Sequence, residues 1–180
     1  MRQSYYHPIS KGFHWVIVIM LAIQFAVGWI MPGIRRNMMP SGLVSFHVAF
    51  GITILGVVIL RLLWRIIHRA PEPEPGMPWW QKLSAKAVHY LLYASVIALP
   101  VTGWWLASAH GWAVTVFGFV TLPPLGPANA AMEQLADFAH VATVTVAAIL
   151  IGLHILAALY HYFILKDKTL QRMLPSASRR

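Results

Sequence analysis

The sequence predicts an all-α integral membrane protein, a bundle of four transmembrane helices with both termini in the cytoplasm. Of its 180 residues, 58% are hydrophobic and only 11% are charged, whereas about a quarter of the residues of a soluble globular protein are charged. Four apolar stretches are each long enough to cross a bilayer, which takes roughly 20 residues. The basic residues are distributed very unevenly between the segments that join these stretches.

The first predicted span covers approximately residues 12–31. Its apolar run is too long for a secretory signal peptide, and no small-residue cleavage site of the A-x-A type follows it before Arg35. We therefore expect a transmembrane helix here rather than a signal peptide.

The second and third predicted spans, residues 43–67 and 86–107, are joined by a connector that reads APEPEPGMPWW over residues 70–80. The repeated prolines favour stiff, extended backbone over a helix. Pro100 lies inside the third span and is expected to kink it. The kink would either open space between helices or be only a tolerated bend.

The fourth predicted span, residues 138–163, follows the longest loop, residues 110–133. The apolar first half of this loop is expected to lie on the outer membrane surface, and its Pro- and Gly-rich second half predicts no helix. Little sequence remains outside the four spans. Residues 1–180 are therefore predicted to form a single membrane domain.

The positions of lysine and arginine predict the orientation of the bundle. Of the 14 Lys and Arg residues, only Arg35 and Arg36 fall on the side opposite the termini. Cytoplasmic loops carry an excess of basic residues, so both termini are predicted to lie in the cytoplasm. The net charge of +9 is then a topology signal that also contacts anionic lipid, and no nucleic-acid partner is expected.

The chain contains no cysteine. This excludes disulfides, iron–sulfur clusters held by cysteine, and covalent haem attached through C-x-x-C-H. The predicted spans also hold almost no carboxylate. Cofactor chemistry inside the membrane therefore depends on the histidines.

Three histidines in the fourth span are the least expected residues in the sequence. His140 and His154 are 14 residues apart, which places them on one helix face about 21 Å apart along the axis. His161 follows seven residues later on roughly the same face. Ionisable residues inside a membrane span are rare and mark functional sites.

Counting along the spans sorts the histidines by depth. His47 opens the second span near the outer surface, level with His140, and this gives an outer candidate pair. His14 opens the first span at the inner side, where counting leaves either His154 or His161 as its partner. Two pairs contributed by different helices match what two bis-histidine haems require.

Metal ions are the alternative occupants of paired histidines. Zinc and copper sites usually add a cysteine, a carboxylate or a third close ligand, and the spans offer almost none. Gly51, Gly56 and Gly152 would let a flat ring approach the helix backbone closely. Ordinary packing of small residues between helices is the alternative for each glycine.

Four motifs extend this pattern along the chain. They are H-W at His14, S-F-H-V-x-F-G-I from Ser45, H-Y-L-L-Y-x-x-x-x-A-L-P-V-x-G from His89, and G-L-H-x-x-A-A-L-x-H-Y-F-x-x-K-D-x-T-L-x-R-M-L-P from Gly152 to Pro175. Together they cover nearly the whole chain. The sequence resembles the bacterial cytochrome b561 family, in particular its stand-alone dihaem proteins described as superoxide:ubiquinone oxidoreductases.

The resemblance implies two non-covalent b-type haems. His14 and His154 would hold the inner haem, and His47 and His140 would hold the outer one, each residue binding the haem iron axially. The implied activity is transmembrane electron transfer that oxidises periplasmic superoxide to oxygen and reduces membrane ubiquinone.

Basic residues at both ends are candidates under this resemblance. Arg35 and Arg36 would attract superoxide, an anion, towards the outer haem, or they are solvated loop charges or lipid anchors. At the inner end, Arg61, Arg65 and Lys166 are candidate partners of haem propionates. Snorkelling towards lipid phosphate is the alternative for the two arginines.

The quinone would contact residues at the inner end. His161, His89 and Lys166 are the candidates for this site. His89 could equally bond a haem propionate or have a structural role. The predicted partners are therefore membrane lipid, ubiquinone and a small electron donor, superoxide.

Two other function classes remain as alternatives. The chain could be the cytochrome b subunit of a hydrogenase- or formate dehydrogenase-like complex, although its short loops offer no obvious docking platform, and no obligate protein partner is expected. It could also be a non-redox membrane protein that binds or transports metal or haem. Reducible haem at fixed stoichiometry would argue against transport.

Overall fold

The computed structural model describes residues 6–35, 37–68, 70–74 and 76–175. These residues form four long helices: α1 Pro8–Ile30, α2 Gly42–Ile67, α3 Trp79–Ala109 and α4 Ala130–Tyr160. Each helix contains an apolar window long enough to cross a membrane. The four predicted helices are confirmed, and the chain is a multi-pass membrane protein.

All four helices begin before the predicted spans, and the difference is largest for α3, which begins at Trp79, and α4, which begins at Ala130. The first two turns of these helices mix charged and amide side chains with apolar residues, and Glu, Gln, Lys, Ala and Leu are good helix formers whether or not a segment is apolar enough for a membrane. Asn129 caps α4, since its side chain accepts a hydrogen bond from the Met132 amide at 3.0 Å. The α1 helix begins with Pro8, whose fixed φ angle suits a first helical position.

The helices pack in chain order. Extensive backbone contact joins α1 to α2, α2 to α3 and α3 to α4. The core between α1, α2 and α3 is built from Ile17, Ile54, Val58 and Val96. Within the described residues, α4 buries few side chains, namely Ala136, Ala147 and Leu150. Of the other three helices, only α3 makes extensive backbone contact with α4.

Between α3 and α4 the loop forms a β-hairpin that the sequence did not predict. Strands β1 Val114–Val116 and β2 Val120–Leu122 pair antiparallel, and Phe117 and Gly118 make the turn with φ angles of 47° and 81°. The Trp112 indole donates to the Met38 carbonyl at 2.8 Å, which ties the loop to the α1–α2 connection. Residues 123–129 are non-helical, as predicted, whereas residues 130–133 belong to α4.

The last described residues fold back across the start of α1. After α4 the backbone widens into a π-helical turn, His161–Leu165, which ends at Lys166 with a left-handed φ of 52°. The Trp15 indole then donates to the Met173 carbonyl and the Lys11 ammonium to the Leu174 carbonyl, both at 3.0 Å.

The connector before α3 is partly as predicted. Its described residues 70–74 and 76–78 are non-helical, but Trp79 and Trp80 already belong to α3. Pro100 lies inside α3, and the helix continues on both sides of it.

The two ends of the bundle are called the terminal end and the loop end. The terminal end contains the start of α1, the end of α2, the start of α3 and the end of α4. The loop end contains the α1–α2 connection and the hairpin.

Candidate functional site

A pair of histidines faces each other at the loop end. His47 on α2 and His140 on α4 have ring centres 6.4 Å apart, and their planes are nearly perpendicular at 88°. Both side chains are partly buried. The structure therefore brings together the two residues of the predicted outer pair.

Two glycines give these rings room. A side chain at Gly103 would place its Cβ 3.2 Å from the Cε1 atom of His140, and a side chain at Gly28 would lie 3.4 Å from the Cε1 atom of His47. The first distance is shorter than ordinary van der Waals contact, so residue 103 must stay small for the ring to keep its place.

The Nδ1 atoms of the two loop-end rings have different surroundings. The Nδ1 atom of His140 lies 3.0 Å from the Thr102 hydroxyl oxygen. The Nδ1 atom of His47 is buried and has no hydrogen-bond partner among the described residues. Gln24 bonds the backbone of this residue instead, donating to the His47 carbonyl at 2.9 Å.

A second pair lies at the terminal end. His14 on α1 and His154 on α4 have ring centres 6.3 Å apart, with their planes at 77°. The ring of His89 also approaches His154, at 5.3 Å, and its Nδ1 atom lies 2.6 Å from the Ala85 carbonyl, to which it donates. Three histidines from three helices thus meet at this end.

Two predicted arginine candidates lie in different places at the terminal end. Arg61 donates to the Nδ1 atom of His14 at 3.3 Å and also lies 5.5 Å from the centre of the Tyr93 ring. Arg65 lies over the ring of Tyr6 at 5.9 Å. Only Arg61 contacts a member of the histidine pair.

His161 does not join either pair. Its Nδ1 atom lies 2.5 Å from a carboxylate oxygen of Asp167, whose other oxygen accepts from the Thr169 amide at 2.8 Å. Partial burial acts to raise the pKa of Asp167, but the hydrogen bonds from His161 and Thr169 outweigh it and hold that pKa below its ordinary value. His161 is thus committed to a carboxylate rather than turned towards His14.

Two of the remaining charged candidates, Arg35 and Lys166, are exposed. Arg35 is exposed at the loop end, where residues 32–35, 37 and 38 line an open depression of about 640 Å³. Arg36 lies outside the described residues. Lys166 is exposed where the π-helical turn ends.

Both histidine pairs fit the axial ligation of haem. With metal–nitrogen bonds of about 2 Å and roughly 1 Å from each nitrogen to its ring centre, two axial imidazoles have centres about 6 Å apart. The separations of 6.4 and 6.3 Å meet this requirement, whereas 5.3 Å between His89 and His154 is too short. The described residues contain no cluster of three or more histidine, cysteine or carboxylate side chains suited to a free metal ion.

Sequence reasoning chose different glycines from those that contact the histidines. A side chain at Gly51 would meet the Gln24 amide at 3.1 Å, and side chains at Gly56 and Gly152 would meet nothing within 4 Å. Gly103 ends the A-L-P-V-x-G motif, and Thr102 is the variable residue within it. The motif was therefore a usable signal for Gly103 but not for Thr102. No comparable signal identified Gly28.

Comparison with known proteins finds relatives over nearly the whole chain. The family described as prokaryotic cytochrome b561 matches residues 5–176. The chain is 31% identical to cytochrome b561 homolog 2 of Escherichia coli (strain K12), over 96% of this chain and 93% of that protein. It is 30% identical to the probable superoxide oxidase CybB of Yersinia pestis, over 94% of this chain and 96% of that protein.

A more distant relative is cytochrome b562 of Cereibacter sphaeroides, which is 27% identical over 94% of each chain. The match to the family extends over nearly all of the sequence, including α1, α2 and α4, the three helices that carry the two histidine pairs. The chain therefore belongs to the prokaryotic cytochrome b561 family, whose members bind b-type haem and transfer electrons in the membrane.

Proposed function

We propose that this protein is a superoxide:quinone oxidoreductase that holds two b-type haems and passes electrons across the bacterial inner membrane to ubiquinone. Its termini lie in the cytoplasm, so the loop end faces the periplasm. In balance, two superoxide anions become two molecules of oxygen, and one ubiquinone takes up their two electrons and two protons to form the quinol.

The observation that carries the proposal is the presence of two histidine pairs at opposite ends of one bundle, with ring centres 6.4 and 6.3 Å apart. His47 and His140 would bind one iron, and His14 and His154 the other. Bound haem supplies a one-electron redox centre at each site. Because two histidine nitrogens would hold each iron, the residues would favour electron transfer over oxygen binding.

The apolar helices keep water away from both pairs. Only α3 makes extensive backbone contact with α4, so the flat apolar rings would lie between α4 and the pair α1 and α2. Gly28 and Gly103 let the imidazoles of the loop-end pair lie against α1 and α3.

At the loop end, Arg35 would attract the anionic donor. It is exposed beside an open depression, and a positive charge there raises the local concentration of a small anion. Arg36 is proposed to add to this field from its place in the sequence. The name of the Yersinia pestis relative, a probable superoxide oxidase, supports superoxide as the donor.

At the terminal end, His161 would serve the quinone as a proton donor. Its bond to Asp167 orients the ring, and Lys166 adds a positive charge next to Asp167 in the chain. His89 has its Nδ1 atom bound to the Ala85 carbonyl, which leaves Nε2 to contact a quinone oxygen or a haem propionate.

Arg61 is the proposed propionate partner at the same end. Arginine only donates hydrogen bonds, so its bond to Nδ1 of His14 places the proton of a neutral His14 ring on Nε2. For Nε2 of His14 to bind iron, Arg61 must turn away, and a propionate is the anion that would draw it. Arg65 is the weaker candidate, because it lies over Tyr6.

The test is superoxide-driven reduction of ubiquinone by the purified protein in proteoliposomes. Enzymatically generated superoxide should reduce the protein and then the quinone, with one quinol formed per two superoxide anions consumed. Superoxide dismutase added to the assay should abolish the reaction. A protein that takes electrons only from a co-purifying hydrogenase or formate dehydrogenase, and none from superoxide, would contradict the proposed donor.

Replacing both Arg35 and Arg36 with Gln tests how the donor is attracted. The rate of superoxide oxidation should fall by about tenfold at low salt, and its dependence on ionic strength should flatten. Lys168→Gln is the matched control, since it removes a positive charge from the terminal end. An unchanged rate in the double variant would sink the steering role.

A further inference from the structure

Among the described residues, Thr102 is the one side chain that lies within hydrogen-bond distance of an Nδ1 atom of the loop-end pair. Its hydroxyl oxygen lies 3.0 Å from the Nδ1 atom of His140. The same oxygen lies 2.9 Å from the Ala98 carbonyl and 3.0 Å from the Leu99 carbonyl in its own helix. All three distances are within the range of ordinary hydrogen bonds.

The single hydrogen of this hydroxyl decides the direction of the bond to His140. Carbonyl oxygens only accept, so the Thr102 hydrogen is donated to Ala98 or Leu99, as is usual for threonine within a helix. The hydroxyl oxygen can then only accept from His140. The proton of the neutral ring is therefore on Nδ1, which leaves the lone pair on Nε2.

We propose that Thr102 is the positioning residue of the loop-end pair, setting the tautomer and orientation of His140 so that Nε2 binds iron. The proposal rests on the loop-end haem proposed above. Gly103, the next residue, leaves room for the His140 ring. A Cβ atom there would lie 3.2 Å from Cε1, 3.5 Å from Nδ1 and 3.9 Å from Nε2 of His140. The edge of the ring that carries Nδ1 and Cε1 thus faces α3.

The partner ligand has no such support. The buried Nδ1 atom of His47 has no hydrogen-bond acceptor among the described residues. The hydrogen bond from His140 to Thr102 makes that imidazole a stronger electron donor. Thr102 would therefore tune the electronic properties of this haem from one side only.

The experiment compares Thr102→Val, which keeps the shape but removes the hydroxyl, with Thr102→Ser, which keeps the hydroxyl. The matched control is Thr145→Val, which removes a hydroxyl bonded only within its own helix, at 2.9 Å from the Val141 carbonyl. Redox titration and electron paramagnetic resonance of the holoprotein are measured for each haem. The loop-end haem is identified as the one missing from His140→Ala.

In Thr102→Val, the midpoint potential of the loop-end haem should rise, and the affinity of the loop-end site for haem should fall by about 10–100-fold. The other haem stays unchanged and serves as the internal control for folding. Thr102→Ser should restore both properties. Unchanged properties in Thr102→Val, or equal changes at both haems, would overturn the role of Thr102. Absence of a loop-end haem from the wild-type protein would instead overturn the proposed function.

Discussion

The two histidine pairs are nearly identical in ring geometry but differ in what contacts their Nδ1 atoms. Ring centres lie 6.4 Å apart at the loop end and 6.3 Å apart at the terminal end. At the loop end, the hydroxyl oxygen of Thr102 lies 3.0 Å from Nδ1 of His140 and is proposed to accept its hydrogen. At the terminal end, the guanidinium of Arg61 donates one to His14.

This difference teaches that ring spacing alone does not define a ligand pair. An acceptor on Nδ1 leaves the lone pair on Nε2 and favours metal binding, whereas a donor on Nδ1 opposes it. We therefore expect the loop-end pair to bind iron without rearrangement, whereas at the terminal end Arg61 must first leave Nδ1 of His14. The terminal end also holds a third ring, His89.

Removing one ligand from each pair should produce the largest effect. His140→Ala should lose one haem per chain and retain the other, and His154→Ala should do the reverse, because each histidine contacts a different partner. Haem content by the pyridine haemochrome method and the reduced spectrum provide the measurement. Loss of both haems from both variants would contradict two independent sites.

A side chain added beside the loop-end pair should have the next largest effect. Gly103→Val places its Cβ 3.2 Å from His140, so the ring must shift and haem binding at that end should weaken by at least tenfold. Gly28→Ala, at 3.4 Å from His47, should have a smaller effect. Gly56→Ala is the control, since its Cβ would meet nothing within 4 Å. Equal haem retention in all three variants would show that a small residue at positions 28 and 103 is not needed for haem binding.

Arg61→Gln tests the terminal end. Loss of a positive charge near this haem should destabilise its reduced form by on the order of 1 kcal/mol, which lowers the midpoint potential of one haem only. Arg65→Gln should have a smaller effect, because that guanidinium lies over Tyr6. Redox titration measures both variants. A shift of the loop-end haem instead would show that the arginine is assigned to the wrong pair.

The smallest effect concerns the turn after the terminal-end pair. The folded pKa of Asp167 lies below its ordinary value of 3.8, so the carboxylate stabilises the fold above that pH, and the contribution is lost as pH falls through the folded pKa. Asp167→Asn should cost about 1 kcal/mol near neutral pH, measured by thermal unfolding in detergent. The difference from wild type should vanish in strong acid.

His161→Ala sharpens the same comparison. The ring is bonded to Asp167, so the variant should retain both haems while quinone reduction slows. Loss of the terminal-end haem would instead return His161 to the role of ligand.

The helices could be predicted because membrane spans have a strong apolar signature. The starts of α3 and α4 could not, because their first two turns mix polar and apolar residues and hydropathy does not report helix propensity there. The β-hairpin was also missed, since its short strands lie in a stretch that resembles an interfacial apolar segment. Its turn at Phe117 and Gly118 depends on backbone conformations that a single sequence signals only weakly.

For the site, depth counting found the approach of His47 to His140, because both lie near the start of their spans. It could not choose between His154 and His161, since a helix can tilt or change its winding. The structure brings His154 to His14 and commits His161 to Asp167, within a π-helical turn. Thr102 was missed because its role depends on contact between two helices.

The most direct test of the central claim is a dithionite-reduced minus oxidised visible spectrum of the detergent-purified protein, with haem quantified per chain. Two histidine pairs predict two low-spin b-type haems per chain. A single haem would show that one pair is not a ligand pair. Absence of haem would contradict the account and assign the histidines to other chemistry.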